Sequence, residues 1–153
     1  MKKIVSLILA LALSLTLIFV VSCDKDNTDS TEDTGNKEQP AASPWDSARY
    51  TENTAVGTGN KTFTLIVSAY NKEITLTVKT DENTVGAALS ALDIVEGEEG
   101  AYGLYIKKVN NILADYDVDQ TYWAFYINGE YAMTGVDKTD IVAGATYKLA
   151  REK

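Results

Sequence analysis

The chain has 153 residues, 22 of them acidic and 14 basic, with no histidine, one cysteine and a net charge of −8. That balance argues against nucleic acid as a partner and against a polybasic grip on anionic lipid, since both need clustered Lys and Arg. Without histidine there is no Ser-His-Asp triad and no imidazole-built metal site, so a non-enzymatic role without a cofactor or metal is expected.

At the N-terminus, Lys2 and Lys3 precede an uncharged apolar run from Ile4 to Val21, broken only by Ser6, Ser14 and Thr16. This is the charged-then-apolar pattern of a secretory signal, and the run is long enough that a transmembrane anchor is the competing reading. The next residues decide between them. Val20-Val21-Ser22-Cys23 resembles the lipobox of bacterial lipoprotein signal peptides. The resemblance implies a signal over residues 1–22, cleavage between Ser22 and Cys23, and a diacylglycerol on the Cys23 thiol. Two or more acyl chains anchor stably, because each buried methylene contributes about 0.8 kcal/mol. The alternative is a small buried cysteine at the end of an uncleaved helix. The lipoprotein reading places the chain at a membrane, lipid-anchored and facing outside the cytoplasm. Losing Lys2 and Lys3 would take its charge to −10. Asp24 resembles inner-membrane retention signals, but the sequence does not say whether the cell has one membrane or two.

Residues 23–60 are rich in Asp, Thr, Asn, Ser and Glu and lack apolar periodicity. Such composition cannot offset the entropy of ordering, so an acidic disordered tether is expected, with an end-to-end distance of about 35 Å. Trp45 and Tyr50 are exceptions, and the sequence leaves open whether they dock on the following domain. Neither the Asp24 cluster nor Asp115, Asp117 and Asp119 meets the glycine and glutamate spacing of an EF-hand loop.

A domain is expected over residues 61–153. Phe63, Leu65 and Val67 alternate, as do Ile74, Leu76 and Val78, which predicts two strands joined as a hairpin across "YNK". Val85, Ala88, Leu89 and Leu92 share one helix face, capped by Asn83 or Thr84 and weakened by Gly86. "GEEGAYG" reads as a loop, Tyr102, Leu104 and Ile106 as a strand, and Asn110-Asn111 as a tight turn. The aspartates after it read as a solvated loop. "QTYWAFYINGEY" follows, and "GATYKLARE" reads as a terminal strand. A hairpin, one helix and a returning mixed or antiparallel sheet predict a small α+β domain of β-grasp type.

Asn128-Gly129 is the strongest short hairpin signal. A two-residue loop there opposes Ile127 to Glu130, Tyr126 to Tyr131, Phe125 to Ala132 and Ala124 to Met133. Trp123, Phe125, Ile127 and Ala132 then form the more apolar face, assigned to the core. Tyr122, Tyr126, Tyr131 and Met133 form the other face and are the candidate ligand-binding residues. Tyrosine gives amphipathic contact area and methionine adapts to irregular partners. The competing reading is cross-strand pairing alone, for which a Tyr126–Tyr131 contact contributes about 0.2–1 kcal/mol.

From about Thr62 to Lys153 the chain resembles the bacterial transcobalamin-like C-terminal domain, related to the small β-domain of intrinsic factor and transcobalamin, with "YGLYIKKVNNILADYD" similar to the family segment before the Tyr-Trp pair and Asn111 where glycine is usual. The resemblance rests on Tyr122-Trp123, Phe125, Asn128-Gly129, Gly135-Val136, Ile141, Gly144 and the last strand with Tyr147 and Leu149. It implies a small β-rich fold and offers a corrinoid as the one named candidate ligand, held in the carriers against a helical barrel that this sequence lacks. Two kinds of function follow. One is a lipid-anchored module binding a small ligand or protein through the aromatic hairpin. The other is a structural or adhesion module docking a cell-wall component or partner through its tyrosine face or a sheet edge. The acids Asp115, Asp117, Asp137 and Asp140 define no acid–base pair by their spacing.

Overall fold

The computed structural model describes residues 42–153 apart from Tyr102. The apolar leader, Ser22, Cys23 and most of the acidic stretch lie outside the described residues. The described chain enters on a 3-10 turn, Pro44–Ser47, closed by reciprocal bonds. The Trp45 amide donates to Ser43 Oγ (3.3 Å) and the Ser43 amide to Asp46 Oδ2 (2.8 Å). Trp45 is only 4% exposed; its Nε1 donates to the Ala69 carbonyl (3.0 Å), and Lys72 Nζ lies 4.7 Å from its ring centre. A few residues on, the Asn110 side chain brackets Tyr50, accepting from its amide (2.8 Å) and donating to its carbonyl (2.7 Å). Strand β1, Thr54–Gly57, then pairs parallel with β3, Lys72–Thr80.

The expectation of an unstructured tether through residue 60 is therefore corrected. From Pro44 on, the segment belongs to the domain. Bulk polarity concealed this because three side chains, Trp45, Tyr50 and Val56, do most of the packing, against partners distant in sequence.

Strand β2, Lys61–Ala69, and β3 form the expected hairpin, with Tyr70 and Asn71 at φ 50° and 60°. Positive φ at both central residues is the turn geometry that matches strand twist. Helix α1, Val85–Ala91, begins at Thr84, whose Oγ1 accepts from the Ala87 amide (3.2 Å), and buries Val85, Ala88 and Leu89. Gly86 has a packing reason. A Cβ there would lie 2.8 Å from the Asp137 backbone, so the 3-10 turn Val136–Lys138 can rest on the helix only at glycine.

The acidic "GEEG" stretch expected as loop is a strand. β4, Val95–Gly100, pairs antiparallel with β5, Gly103–Val109. Its charges conceal it from hydrophobic patterning because five of its six residues are exposed, and its carboxylates face lysines across the ribbon. Glu96 meets Lys108 at 2.7 Å and Glu98 meets Lys107 at 3.1 Å. Asn110-Asn111, at φ 51° and 68°, turns the chain into β6, Ile112–Leu113. The aspartate-rich segment beyond forms a four-residue helix, α2, Tyr116–Asp119, capped by Asp115.

Strands β7, Tyr122–Ile127, β8, Glu130–Tyr131, and β9, Thr146–Glu152, complete a six-stranded sheet of order β1-β3-β2-β9-β7-β8; β4, β5 and β6 form a second sheet of three strands. At the centre β2 and β9 run parallel, which is the β-grasp order. Tyr147 sits at the middle of the core, edge-on to Phe63 (5.3 Å) and stacked with Phe125 (6.0 Å). Its hydroxyl donates to the Asp140 carbonyl (3.2 Å) and accepts from the Val142 amide (3.0 Å). Near the end of β9, Arg151 pairs with Asp119, donates to the Leu113 carbonyl (3.0 Å) and covers the Tyr70 ring at 4.3 Å. The Thr121 hydroxyl first, with help from Arg151, holds the Asp119 carboxyl below its ordinary 3.8. That contribution to stability is present above pH 3.8 and is lost as pH falls through the lower folded value.

Trp45→Ala is expected to destabilise the fold by about 3–5 kcal/mol, the usual cost of truncating a buried tryptophan. Urea unfolding measures it. A change within error of zero would show that the entry segment is not part of the cooperative unit.

Candidate functional site

The site is built on the Asn128-Gly129 turn, at φ 50° and 88°. Ile127 pairs with Glu130 and Tyr126 with Tyr131, and the Ala132 amide donates to the Phe125 carbonyl (2.9 Å). The expected opposition of Ala124 and Met133 does not form. The ladder stops because the chain must leave β8 to deliver Val136, 1% exposed, onto α1. Gly135 precedes that turn, and Gly144, at φ 77°, precedes β9. Asn128 does more than turn the chain. Its amide donates to the Thr146 carbonyl (2.8 Å) and its Oδ1 accepts from the Thr146 amide (3.0 Å), fixing the hairpin tip to the start of β9.

With that register the two faces separate. Trp123 and Phe125 are buried in the core, with Ile127 and Ala132 packed against it. The Trp123 Nε1 is buried with no hydrogen-bond partner among the described residues. On the opposite face Tyr122 and Tyr126 are half-buried, Tyr131 is 57% exposed and Met133 is 94% exposed. The Tyr126 and Tyr131 rings meet edge-to-face at 5.5 Å. The Tyr126 hydroxyl donates to Glu152 Oε1 (2.8 Å), and Glu152 stands opposite Tyr122 in the β7–β9 ladder. The structure thus brings Tyr122 and Tyr126 together at one carboxylate, with Tyr131 against the Tyr126 ring. Met133 lies beyond them on an open depression of about 500 Å3 at the hairpin tip, lined also by Ile127, Asn128, Glu130, Tyr131 and Ala132.

The hydrogen bond to Glu152, then burial, push the Tyr126 phenol above its ordinary 10.0; burial, then Glu152, Tyr131 and Tyr116, push Tyr122 up. Both phenols are neutral donors at physiological pH. Glu152 is the residue that sequence reasoning missed. The only signal is the alternation of β9, which becomes informative once β9 is known to pair with β7.

The other acids do not assemble a site. Asp115 caps α2, and Asp137 accepts from the Leu104 amide (3.2 Å). Among the described residues no group of three or more His, Cys, Asp or Glu side chains is placed to hold a metal ion, and no helix is long and apolar enough to cross a membrane.

Comparison with known proteins places the chain. Residues 82–146 match the family described as Domain of unknown function (DUF4430). A crystal structure of "a putative metal binding protein" from Ruminococcus gnavus is 30% identical, with 61% of this chain covering 98% of that one at a TM-score of 0.58. The chain belongs to the same family as that protein. Haptocorrin in complex with Cbi is also similar, at 20% identity and a TM-score of 0.47, over 61% of this chain and 25% of that one. Among curated proteins none matches.

Glu152→Gln is expected to lower the pH at which Tyr126 ionises, because the amide carries no charge to oppose the phenolate. The wild-type bond stabilises the fold below pH 10.0 and is lost as pH rises through the raised folded value. Ultraviolet titration of the phenolate band, with Tyr126→Phe to assign the signal, reads the shift. An unchanged titration would mean that the bond to Glu152 does not form.

Proposed function

We propose that this chain is a non-enzymatic binding module, lipid-anchored at Cys23 and facing outside the cytoplasm, that receives its ligand on the tyrosine face of the β7–β8 hairpin. One observation carries the reading. The hairpin buries Trp123 and Phe125, yet it holds Tyr126 in place by Glu152 and leaves Tyr131 and Met133 largely exposed beside it. Ordered aromatic area kept in water is what a docking surface needs. Docking by strand addition is less well supported: the free ends of the larger sheet are β1, four residues long, and β8, two.

The sequence resemblance offers a corrinoid as a concrete small ligand. The depression at the hairpin tip is open, so a molecule lying on it would stay largely solvated, and weak affinity is expected. Titrating the soluble chain from residue 24 with cobalamin, followed by visible absorption and calorimetry, should give weak saturable binding that Tyr131→Ser abolishes. No signal at high micromolar concentration removes the corrinoid version.

The anchor is tested separately. Cys23→Ala should move the chain from the membrane fraction to the soluble fraction and abolish incorporation of a labelled fatty acid. Retention in the membrane would contradict lipid anchoring.

A further inference from the structure

We propose that the group seated on the tyrosine face is cationic: a Lys- or Arg-bearing segment of a partner protein, its side-chain cation held between Glu152 and the rings of Tyr122, Tyr126 and Tyr131. This rests on the reading of that face as the binding surface and adds the charge and class of the partner.

Among the described residues, Asp93, Glu98, Glu96, Asp137, Glu73 and Asp119 each meet a Lys or Arg of the chain itself. Glu152 meets none. Its one hydrogen-bond partner is the Tyr126 hydroxyl, which bonds Oε1 and leaves Oε2 without a partner among the described residues. The lysine that shares this face is Lys148, opposite Tyr126 in the ladder, but its Nζ is turned to Glu73 at 2.8 Å. Lys153 follows Glu152 in sequence and is exposed.

The surroundings add negative charge. Glu130 adjoins Tyr131, and Asp115 and Asp117 flank Tyr116, whose phenol is close enough to act on Tyr122. The chain as a whole carries −8. Neutral tyrosine rings present negative π-faces, and a cation within about 6 Å of a ring centre is attracted to them. The fold uses the same chemistry internally, with Lys72 over Trp45 and Arg151 over Tyr70. The face is open, whereas a free small cation requires a site that encloses it. A cation carried on a peptide needs only a surface to lie across, because neighbouring residues add contact area.

The test uses the full chain in neutral detergent and two fluorescein-labelled peptides, Gly-Arg-Gly-Arg-Gly and its Gln counterpart, followed by anisotropy. The arginine peptide should bind the wild-type chain more tightly than the glutamine peptide does, and its binding should weaken as salt is raised. Glu152→Gln, which keeps the acceptor for Tyr126, should raise Kd by about tenfold, as for loss of a charge-assisted contact. Glu99→Gln on the β4–β5 ribbon removes the same charge elsewhere and should leave Kd unchanged. Equal binding of the two peptides, binding of neither, or a Glu152→Gln variant no weaker than Glu99→Gln would overturn the proposal. Tetramethylammonium competing as tightly as the arginine peptide would overturn the protein partner. If Tyr131→Ser loses a binding that is indifferent to charge, the tyrosine face stands as the binding surface and the cation does not. If the arginine peptide binds Tyr131→Ser as it binds the wild type, the binding-surface reading itself fails.

Discussion

Strand β9 is the element on which the rest of the molecule depends. It runs parallel to β2 on one side and antiparallel to β7 on the other, so it joins the first hairpin to the last. Its inward residues, Tyr147 and Leu149, are almost fully buried, and Tyr147 packs between Phe63 of β2 and Phe125 of β7. Its outward residue Glu152 reaches the tyrosines. Because side chains alternate along a strand, these two roles are one constraint. A slip of one residue would bring Glu152 inward and put Tyr147 in water. The Asn128 side chain, bonded to the Thr146 amide, guards against that slip at the point where β9 begins.

The chemistry of the exposed face follows from this arrangement. Glu152 is held where it can accept from the Tyr126 phenol, and that bond pushes the phenol above its ordinary 10.0. The tyrosine rings, the Glu152 carboxylate and the exposed Met133 make up the surface that we propose for recognition. Elsewhere Asp115 caps α2, Asp137 accepts from the Leu104 amide, and Glu96 and Glu98 pair with lysines across the ribbon.

Much of the fold is legible in the sequence where pattern and packing agree. Phe63 to Val67 and Ile74 to Val78 alternate because one face of each strand is core, and Asn110-Asn111 and Asn128-Gly129 turn because asparagine and glycine tolerate positive φ. The pattern fails where stability comes from elsewhere. β4 is held by main-chain pairing and cross-strand charges, so its sequence reads as loop. Pro44 to Gly57 reads as tether because Trp45 and Asn110 find their partners far along the chain. The tyrosine residues of the site are legible from the turn alone. Glu152 is not, since its role depends on a pairing between segments more than twenty residues apart.

The hairpin register puts Trp123 in the core and leaves the tyrosines outside. Emission from Trp123 in a Trp45→Phe variant tests it directly. Blue-shifted fluorescence that acrylamide barely quenches is the expected result. Red-shifted, readily quenched emission would place Trp123 in water and would contradict the assignment of the faces, and with it the site.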